Sequence, residues 1–510
     1  MKSDVEQSGT EETVRRVGTV IIGAGFAGLG AAMELDRAAH RDFLIIERGP
    51  EVGGTWRDNS YPGAACDVPS HLYSLSFAPN PDWSRTFSSQ PEIQDYLRRI
   101  ARRSGVLDRA WFDTQLTRAR WDEAAALWRV DTTRGPVAAE YLVCGFGVLC
   151  EPRLPDIPGI ETFEGDLFHS SRWNHEVELR GKRVAVIGTG ASAIQIVPAI
   201  AATVGHLEVY QRTAPWLLPR LDRPYTAVER WAFRHLPGWR KLNRASVYLM
   251  RETQGYCLTR GPAFTKPLEL IAEAKLRWEI RDPELRARVR PTFRIGCKRM
   301  LPSNDYYPAL CRENVDLITT PIREITPDAV VTADGARHAA DILVVATGFH
   351  VTDSPTFAIV HGRDGRSMAE MFDGAGPRAY KGTTMTNFPN AFVLTGPNTA
   401  TGHTSQLYMI EAQLAYLVDA LTTLRERGLR TFEVRADAQA DYNARIQAEL
   451  TGSVWNSGGC RSWYLDKNGH NTTLWPGTTW PFRRETRRFD LEAYEVTAAP
   501  AQERETSAAS

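Results

Sequence analysis

The chain has little of what a disulfide-built, membrane-spanning or nucleic-acid-binding protein needs. Its 510 residues include seven cysteines, at 66, 144, 150, 257, 297, 311 and 460. None forms a CxxC or CxxxxC pair and the number is odd, which argues against a disulfide framework and against a zinc site; no metal is expected. Lys plus Arg and Asp plus Glu number 61 each, so the formal charge is zero, with no electrostatic footprint for nucleic acid or an anionic membrane. No uninterrupted apolar run is long enough to span a bilayer. The first residues are charged and polar and lack a signal-peptide core, so a cytoplasmic protein is the expectation. Residues 1–13 and about 497–510 are small or polar and are expected to be disordered.

What is present is a pair of glycine-rich loops. The first, Gly23-Ala24-Gly25-Phe26-Ala27-Gly28, follows the β-branched run from Val17 to Ile22 and precedes a helical pattern from Ala27 to Arg37. Such a loop lets backbone approach a pyrophosphate, whose charge faces the helix N-terminus. A second strand pattern, Phe43 to Ile46, ends in Glu47, the position from which a carboxylate accepts hydrogen bonds from a ribose diol. The second loop, Gly188-Thr189-Gly190-Ala191-Ser192-Ala193, has a strand pattern before it (Arg183 to Ile187) and a helical one after it (Ala193 to Ala202, carrying Gln195). The strand pattern that follows, Leu207 to Tyr210, ends in Gln211-Arg212-Thr213 with no acid. A carboxylate there repels a 2′-phosphate and an arginine attracts it. The first loop therefore suits FAD or NAD and the second NADP. The competing reading of Arg212, the weaker of the two, is a solvated surface arginine; Lys298-Arg299 adds a second cationic candidate.

The length implies two or three domains. Residues 114–150 read as a small β meander, Leu154 to Gly159 as a rigid linker, and 220 to about 290 as a helical insertion. A strand pattern from Ala340 to Val345 leads to Ala346-Thr347-Gly348, where the chain crosses back to the first domain, and a long helix is expected from Ser405 to Arg425. The fold class is thus α/β, with two Rossmann-like dinucleotide-binding domains, for FAD and NADP, and a helical insertion in the second. The boundaries are 14–150 for the first part of the FAD domain and 151–345 for the NADP domain. Its second part, with the tail, is 346–496.

Three patches carry a family resemblance over about residues 15–490. The first is Gly54-Thr55-Trp56, then Tyr61-Pro62-Gly63 and Asp67; the second is Phe163, Gly165, His169 and Trp173; the third is Gly296-Cys297-Lys298-Arg299. Together they resemble the type I Baeyer–Villiger monooxygenases, single-chain enzymes dependent on FAD and NADPH. The absence of a redox cysteine pair disfavours a dithiol flavin reductase. Three positions depart from the family pattern: Asn174 where Pro or Asp is usual, Gly145-Phe146-Gly147 where a small-hydroxyl-Gly turn is usual, and His350 where Asp is common.

The resemblance implies NADPH- and O2-dependent conversion of ketones to esters or lactones through a C4a-peroxyflavin. Arg299 is then the active-centre cation, because a guanidinium keeps its charge and has a fixed donor fork. Asp67 orients it. FAD is held by Gly23, Gly25, Gly28, Glu47, Gly54, Thr55, Trp56, Asp67 and Tyr73. NADP is held by Gly188, Thr189, Gly190, Ala191, Ser192, Gln195, Arg212, Thr213 and Lys298. His169 and Trp173, four apart, share a face if helical, and read as hinge and packing residues between domains. The aromatic tail from Trp455 to Trp480 reads as core or as a wall of the substrate pocket. Together with Ser303-Asn304-Asp305-Tyr306-Tyr307, it resembles the subgroup acting on open-chain aliphatic ketones. The alternative is a flavin N- or S-oxygenase, in which Tyr or Phe usually replaces Trp173; a third is a nucleotide sensor without turnover. The expected partners are a small ketone and O2, with neither nucleic acid nor membrane.

Overall fold

A computed structural model describes residues 14–498. The sequence-based disorder at 1–13 and 499–510 lies outside the described residues, whereas Thr497 and Ala498 end a strand, Tyr494–Ala498, paired with Leu429–Val434.

Two sheets carry the two loops. In the first, Arg15–Ile22 lies between Phe43–Ile46 and Val137–Cys144, all parallel. Val137–Cys144 turns its first half to the antiparallel meander Leu116–Asp122 and Leu127–Thr132, and its second half to the parallel strand Ala391–Val393. The strand at 391–393 shows that the chain does return to this sheet after leaving it. Residues 20–22, 43–46 and 142–144, where the parallel strands meet the loop, are continuously apolar and buried, as strands covered on both faces are. The helix Phe26–Arg37 and the long helix Gln406–Glu426 pack together, with Leu414 against Gly30. Gln413, fully buried on that helix, donates to the carbonyls of Gly382 and Val393, so its burial is compensated by hydrogen bonds.

The second sheet has five parallel strands in the order Val315–Ile318, His206–Tyr210, Arg183–Ile187, Ile342–Val345, Asp166–His169. The insertion between the strands His206–Tyr210 and Val315–Ile318 is helical: Ala227–His235, Trp239–Thr259, Lys266–Glu279 and Pro283–Arg288. Its first helix starts on a reciprocal cap between Thr226 and Glu229, which satisfies two otherwise orphaned amides. A short parallel pair, Leu217–Leu218 with Leu301–Pro302, fixes the segment after Arg299 beside the segment after Arg212.

Two expectations are corrected. His169 ends a strand and Trp173 follows a 3-10 turn at Ser170–Arg172, so the two do not share a helix face. The cysteines are not all free: Cys297 and Cys460 form a disulfide with Cα atoms 6.1 Å apart, across a sequence separation of 163. Spacing rules find local pairs, and this pair exists only because the tail folds back onto the Arg299 segment. No described helix is long and apolar enough to cross a membrane.

Candidate functional site

The first loop is built by close backbone approach. A Cβ on Gly28 would overlap the Gly23 carbonyl oxygen, so only glycine lets the helix start against the strand end. Gly54 has φ +52, and a Cβ there would lie 3.1 Å from the Gly25 Cα. Gly25 and Gly54 therefore face each other without side chains, leaving bare backbone for a pyrophosphate. Glu47 is buried at the lip: Oε2 accepts from the Ala24 amide at 2.7 Å, while Oε1 accepts from the Gly49 amide and from Arg57, both at 2.8 Å. Oε2 keeps a lone pair for another donor such as a ribose hydroxyl. Arg57, which sequence reasoning missed, balances this buried carboxylate. Thr55 and Trp56 follow in a short helix, Thr55–Asp58, and the Trp56 indole donates to the Tyr73 hydroxyl at 2.9 Å. The Tyr73 ring meets Phe26 of the loop edge-to-face at 5.4 Å.

The second loop continues from Ile187 into the helix Ala193–Ile200, with the Thr189 hydroxyl donating to the Thr213 carbonyl at 2.8 Å. That bond fixes the segment carrying Arg212, whose side chain is exposed. Lys298 is half-buried; burial, and then the like charge of Arg212, lower its pKa. Among the described residues neither has a carboxylate at ion-pair distance, so two neighbouring cations are left to share an anion.

Gln195 goes elsewhere than expected. Its Oε1 accepts from the Tyr61 hydroxyl at 3.0 Å and its Nε2 donates to the Ala65 carbonyl at 2.9 Å. A Cβ on Gly63 would lie 2.6 Å from the Gln195 carbonyl oxygen. The Tyr61-Pro62-Gly63 motif is thus the contact between the two nucleotide-binding units, and the Gln195 amide is committed to it. The second motif is a link as well. The His169 ring bonds the Gly348 carbonyl oxygen at 2.9 Å, where the chain crosses back, and Trp173 packs on Phe168. Burial lowers the His169 pKa to about 4, so the ring is neutral at pH 7.

The three departures are accommodated. Asn174 accepts from the Glu176 amide at 3.0 Å. Gly145 lies against Gly23 and Gly28, with Phe146 packed on Phe357. His350 sits 3.2 Å from Asp353.

Between the two cradles lies the charged centre. Arg299 donates from Nε to Asp67 Oδ2 at 2.7 Å and from Nη2 to Oδ1 at 2.8 Å, a two-point pair. The side chains are 31% and 23% exposed, so neither charge is fully hydrated. Burial pushes the Asp67 carboxyl up, but the Arg299 charge overrides it and holds it below the usual carboxylate range. Asp67 in turn raises the Arg299 pKa. Asp67 takes Nε and Nη2, which leaves Nη1 outside the pair. Consecutive residues divide the work, since Lys298 neighbours Arg212 and Arg299 joins Asp67.

Two more groups act on this centre, and nothing local in the sequence marks either. The Tyr464 hydroxyl is buried without a partner among the described residues, and its pKa is pushed up to about 12 by burial, so it keeps its proton. Arg251, on the helix Trp239–Thr259, interacts electrostatically with both Asp67 and Arg299. Cys66 beside Asp67 is a buried thiol whose pKa burial raises, which makes it inert. The disulfide, two residues before Arg299, ties the segment to the tail, where Trp455, Tyr464 and Trp475 form one core cluster with Leu258 and Met409. The segment at 303–307 serves its own helix start: the Ser303 hydroxyl accepts from the Tyr306 amide at 3.2 Å, and both tyrosines are buried against the second sheet.

Residues 20–236 match the pyridine nucleotide-disulphide oxidoreductase family. The cysteines inside that span, Cys66, Cys144 and Cys150, are all free. A Baeyer-Villiger monooxygenase of Streptomyces coelicolor is 49% identical over 494 residues, covering 96% of this chain and 95% of that protein. One from Pseudomonas aeruginosa is 45% identical over 493 residues, covering 96% and 93%. Among solved structures, cyclohexanone monooxygenase from Rhodococcus sp. Phi1 bound to NADP+ superposes with a TM-score of 0.85 at 29% identity, covering 96% of this chain and 100% of that one. OTEMO in complex with FAD and NADP gives 0.84 at 28% identity, covering 94% and 99%.

Proposed function

The chain belongs to the Baeyer–Villiger monooxygenase family, and from that premise we propose that it oxygenates open-chain aliphatic ketones to esters at the Asp67–Arg299 pair, using FAD, NADPH and O2. The observation that carries the residue assignment is the two-point ion pair set between two dinucleotide cradles, with Nη1 of Arg299 left over.

Both cradles fit their cofactors. The Gly25–Gly54 approach and Glu47 suit the pyrophosphate and ribose of FAD, with Trp56 and Tyr73 alongside. Gly188 to Ser192 open the second helix, and Arg212 with Lys298 suits the 2′-phosphate of NADPH. FAD reduced by NADPH supplies activated oxygen; the protein supplies position and field. Asp67 occupies Nε and Nη2 and so fixes the plane of the guanidinium. Nη1 then donates to the ketone oxygen, where negative charge gathers as the carbonyl carbon is attacked. A donor held beforehand stabilises that charge without reorganising. Tyr464, kept protonated, offers a second O–H on the tail side. The Trp455, Tyr464 and Trp475 cluster and Met300 make the flank of this centre apolar, which suits an aliphatic chain and keeps water from the reacting oxygen. The chain division at 14–150, 151–345 and 346–496 forms part of the same reading. It is supported by the return of Ala391–Val393 to the first sheet.

The test is a ketone panel with purified protein, FAD, NADPH and O2, read by product mass. Products heavier than the ketone by one oxygen atom, with an ester fragmentation pattern, support the proposal. Oxides of amines or sulfides alone, with ketones untouched, refute it.

A further inference from the structure

The helix Trp239–Thr259 presents a stripe to the rest of the protein at positions 244, 248, 251, 255 and 258, the spacing of one helix face. Each end of the stripe is accounted for. Arg244 donates to the carbonyls of His71 at 2.9 Å and Ser74 at 2.7 Å, and pairs with Glu411 at 3.2 Å. Tyr248 stacks on Tyr408 at 4.7 Å, Gly255 abuts His403, and Leu258 abuts Gly296, three residues before Arg299. Arg251, in the middle, is different. Among the described residues its guanidinium has one hydrogen bond, from Nη1 to the neutral Gln254 Oε1 at 3.0 Å, and its buried Nε–H has no acceptor. Among the described residues no carboxylate pairs with it. Asp67 acts on it from a distance, but both Asp67 oxygens are taken by Arg299. The neighbouring Glu252 is turned away, accepting from the Thr479 amide and hydroxyl, both at 2.8 Å.

Two guanidiniums thus share one carboxylate, leaving the centre with an excess positive charge on the Arg251 side. Arg251 is half-buried, and a cation drawn out of water without a counter-ion is costly until an anion pairs with it. We propose that Arg251 binds a carboxylate on the substrate, so that the preferred ketones are open-chain oxo acids, with the carbonyl at Arg299 and the acid group at Arg251. The inference rests on the ketone-oxygenating reading above and names its substrate class. Burial lowers the Arg251 pKa, Asp67 pulls it back and Arg299 opposes it, which is the field an added anion relieves.

The test compares straight-chain oxo acids with their methyl esters in the wild type, Arg251→Met and Arg251→Lys, each loaded with FAD. The wild type favours the acid. Arg251→Met loses about 100-fold in kcat/KM for the acid, mostly through KM, and far less for the ester; Arg251→Lys recovers part of the loss. Equal losses on acid and ester, or a wild type that favours the ester, overturn the proposal. Calorimetric binding of the oxo acid to the FAD-loaded protein reads the same contact without turnover. Arg251-dependent binding with no oxygenated product from any ketone would keep the anion site and sink the ketone reading. Ester and acid products with no dependence on Arg251 would do the reverse. The melting temperature of Arg251→Met shows whether the variant is folded, and Arg251→Lys carries the comparison if it is not.

Discussion

Replacing Asp67 by Asn removes the charge that holds Arg299 while keeping the shape of the side chain. The oxygen–nitrogen distances are 2.7 and 2.8 Å. At that range, with an effective dielectric of about 20, opposite unit charges attract by about 6 kcal/mol before desolvation, which cancels much of it. Both side chains are partly exposed, and solvent screens them further. A net loss of about 2 kcal/mol is expected, read as a lower urea midpoint of the FAD-loaded protein. The effect on turnover is larger, because an unheld guanidinium points less often at the ketone oxygen; about 100-fold in kcat is expected. The pH dependence has a definite sign. The folded Asp67 carboxyl lies below its ordinary value of 3.8, so its stabilisation is fully present above that pH and is lost as pH falls through the folded pKa. The gap between wild type and Asp67→Asn therefore narrows on acidifying below about 3.8. The variant also leaves the like charges of Arg251 and Arg299 without the carboxylate that acts on both, so adding Arg251→Met recovers part of the stability loss. Unchanged midpoint and unchanged product yield in Asp67→Asn would refute the reasoning.

Removing either cation proposed for the 2′-phosphate, by Arg212→Ala or Lys298→Ala, is expected to raise the KM for NADPH by about tenfold and to leave NADH nearly unaffected, as initial rates with the two coenzymes will show. Thiol titration of the denatured protein without reductant finds the five free cysteines, and seven after reduction. Cys460→Ser lowers the melting temperature and slows turnover, since it frees the Arg299 segment from the tail; a variant as stable and active as wild type would contradict the tie. His71 and His169 are both lowered from 6.5 to about 4, first by burial, so the unfolded chain takes up their protons before the folded one does. Stability consequently falls from pH 6.5 to about 4, by up to about 3 kcal/mol per histidine. His71→Asn flattens the dependence of melting temperature on pH in that window.

The parts of this molecule legible in the sequence are those set by short-range rules. Each glycine loop sits between a strand and a helix whose apolar patterns are continuous, and both strands and helices form within a residue or two of expectation. The Asp67–Arg299 pair was reached through motif resemblance, because no local rule joins residues 232 apart. What was hidden depends on packing between distant segments. Cys297 meets Cys460 only once the tail returns. Gln195 lies on the expected helix, but the Gly63 approach draws its side chain to residues 61 and 65. His169 and Trp173 have helical spacing, yet pairing with Ile342–Val345 makes His169 the end of an edge strand, and a 3-10 turn separates it from Trp173. Arg251 was one arginine among many in a charged helical stretch. Only the contrast with the fully partnered Arg244 two turns away sets it apart.

Arg299 is proposed to direct the bound, reduced cofactor toward oxygenation of a ketone. The most direct measurement is product analysis of Arg299→Ala beside the wild type, under isotopically labelled dioxygen with FAD, NADPH and an aliphatic ketone. The wild type incorporates one labelled oxygen into an ester. The variant is predicted to bind FAD, to bleach it with NADPH, and to yield about a hundredth of the ester or less. Full ester formation by Arg299→Ala, with its flavin spectrum intact, would contradict the account.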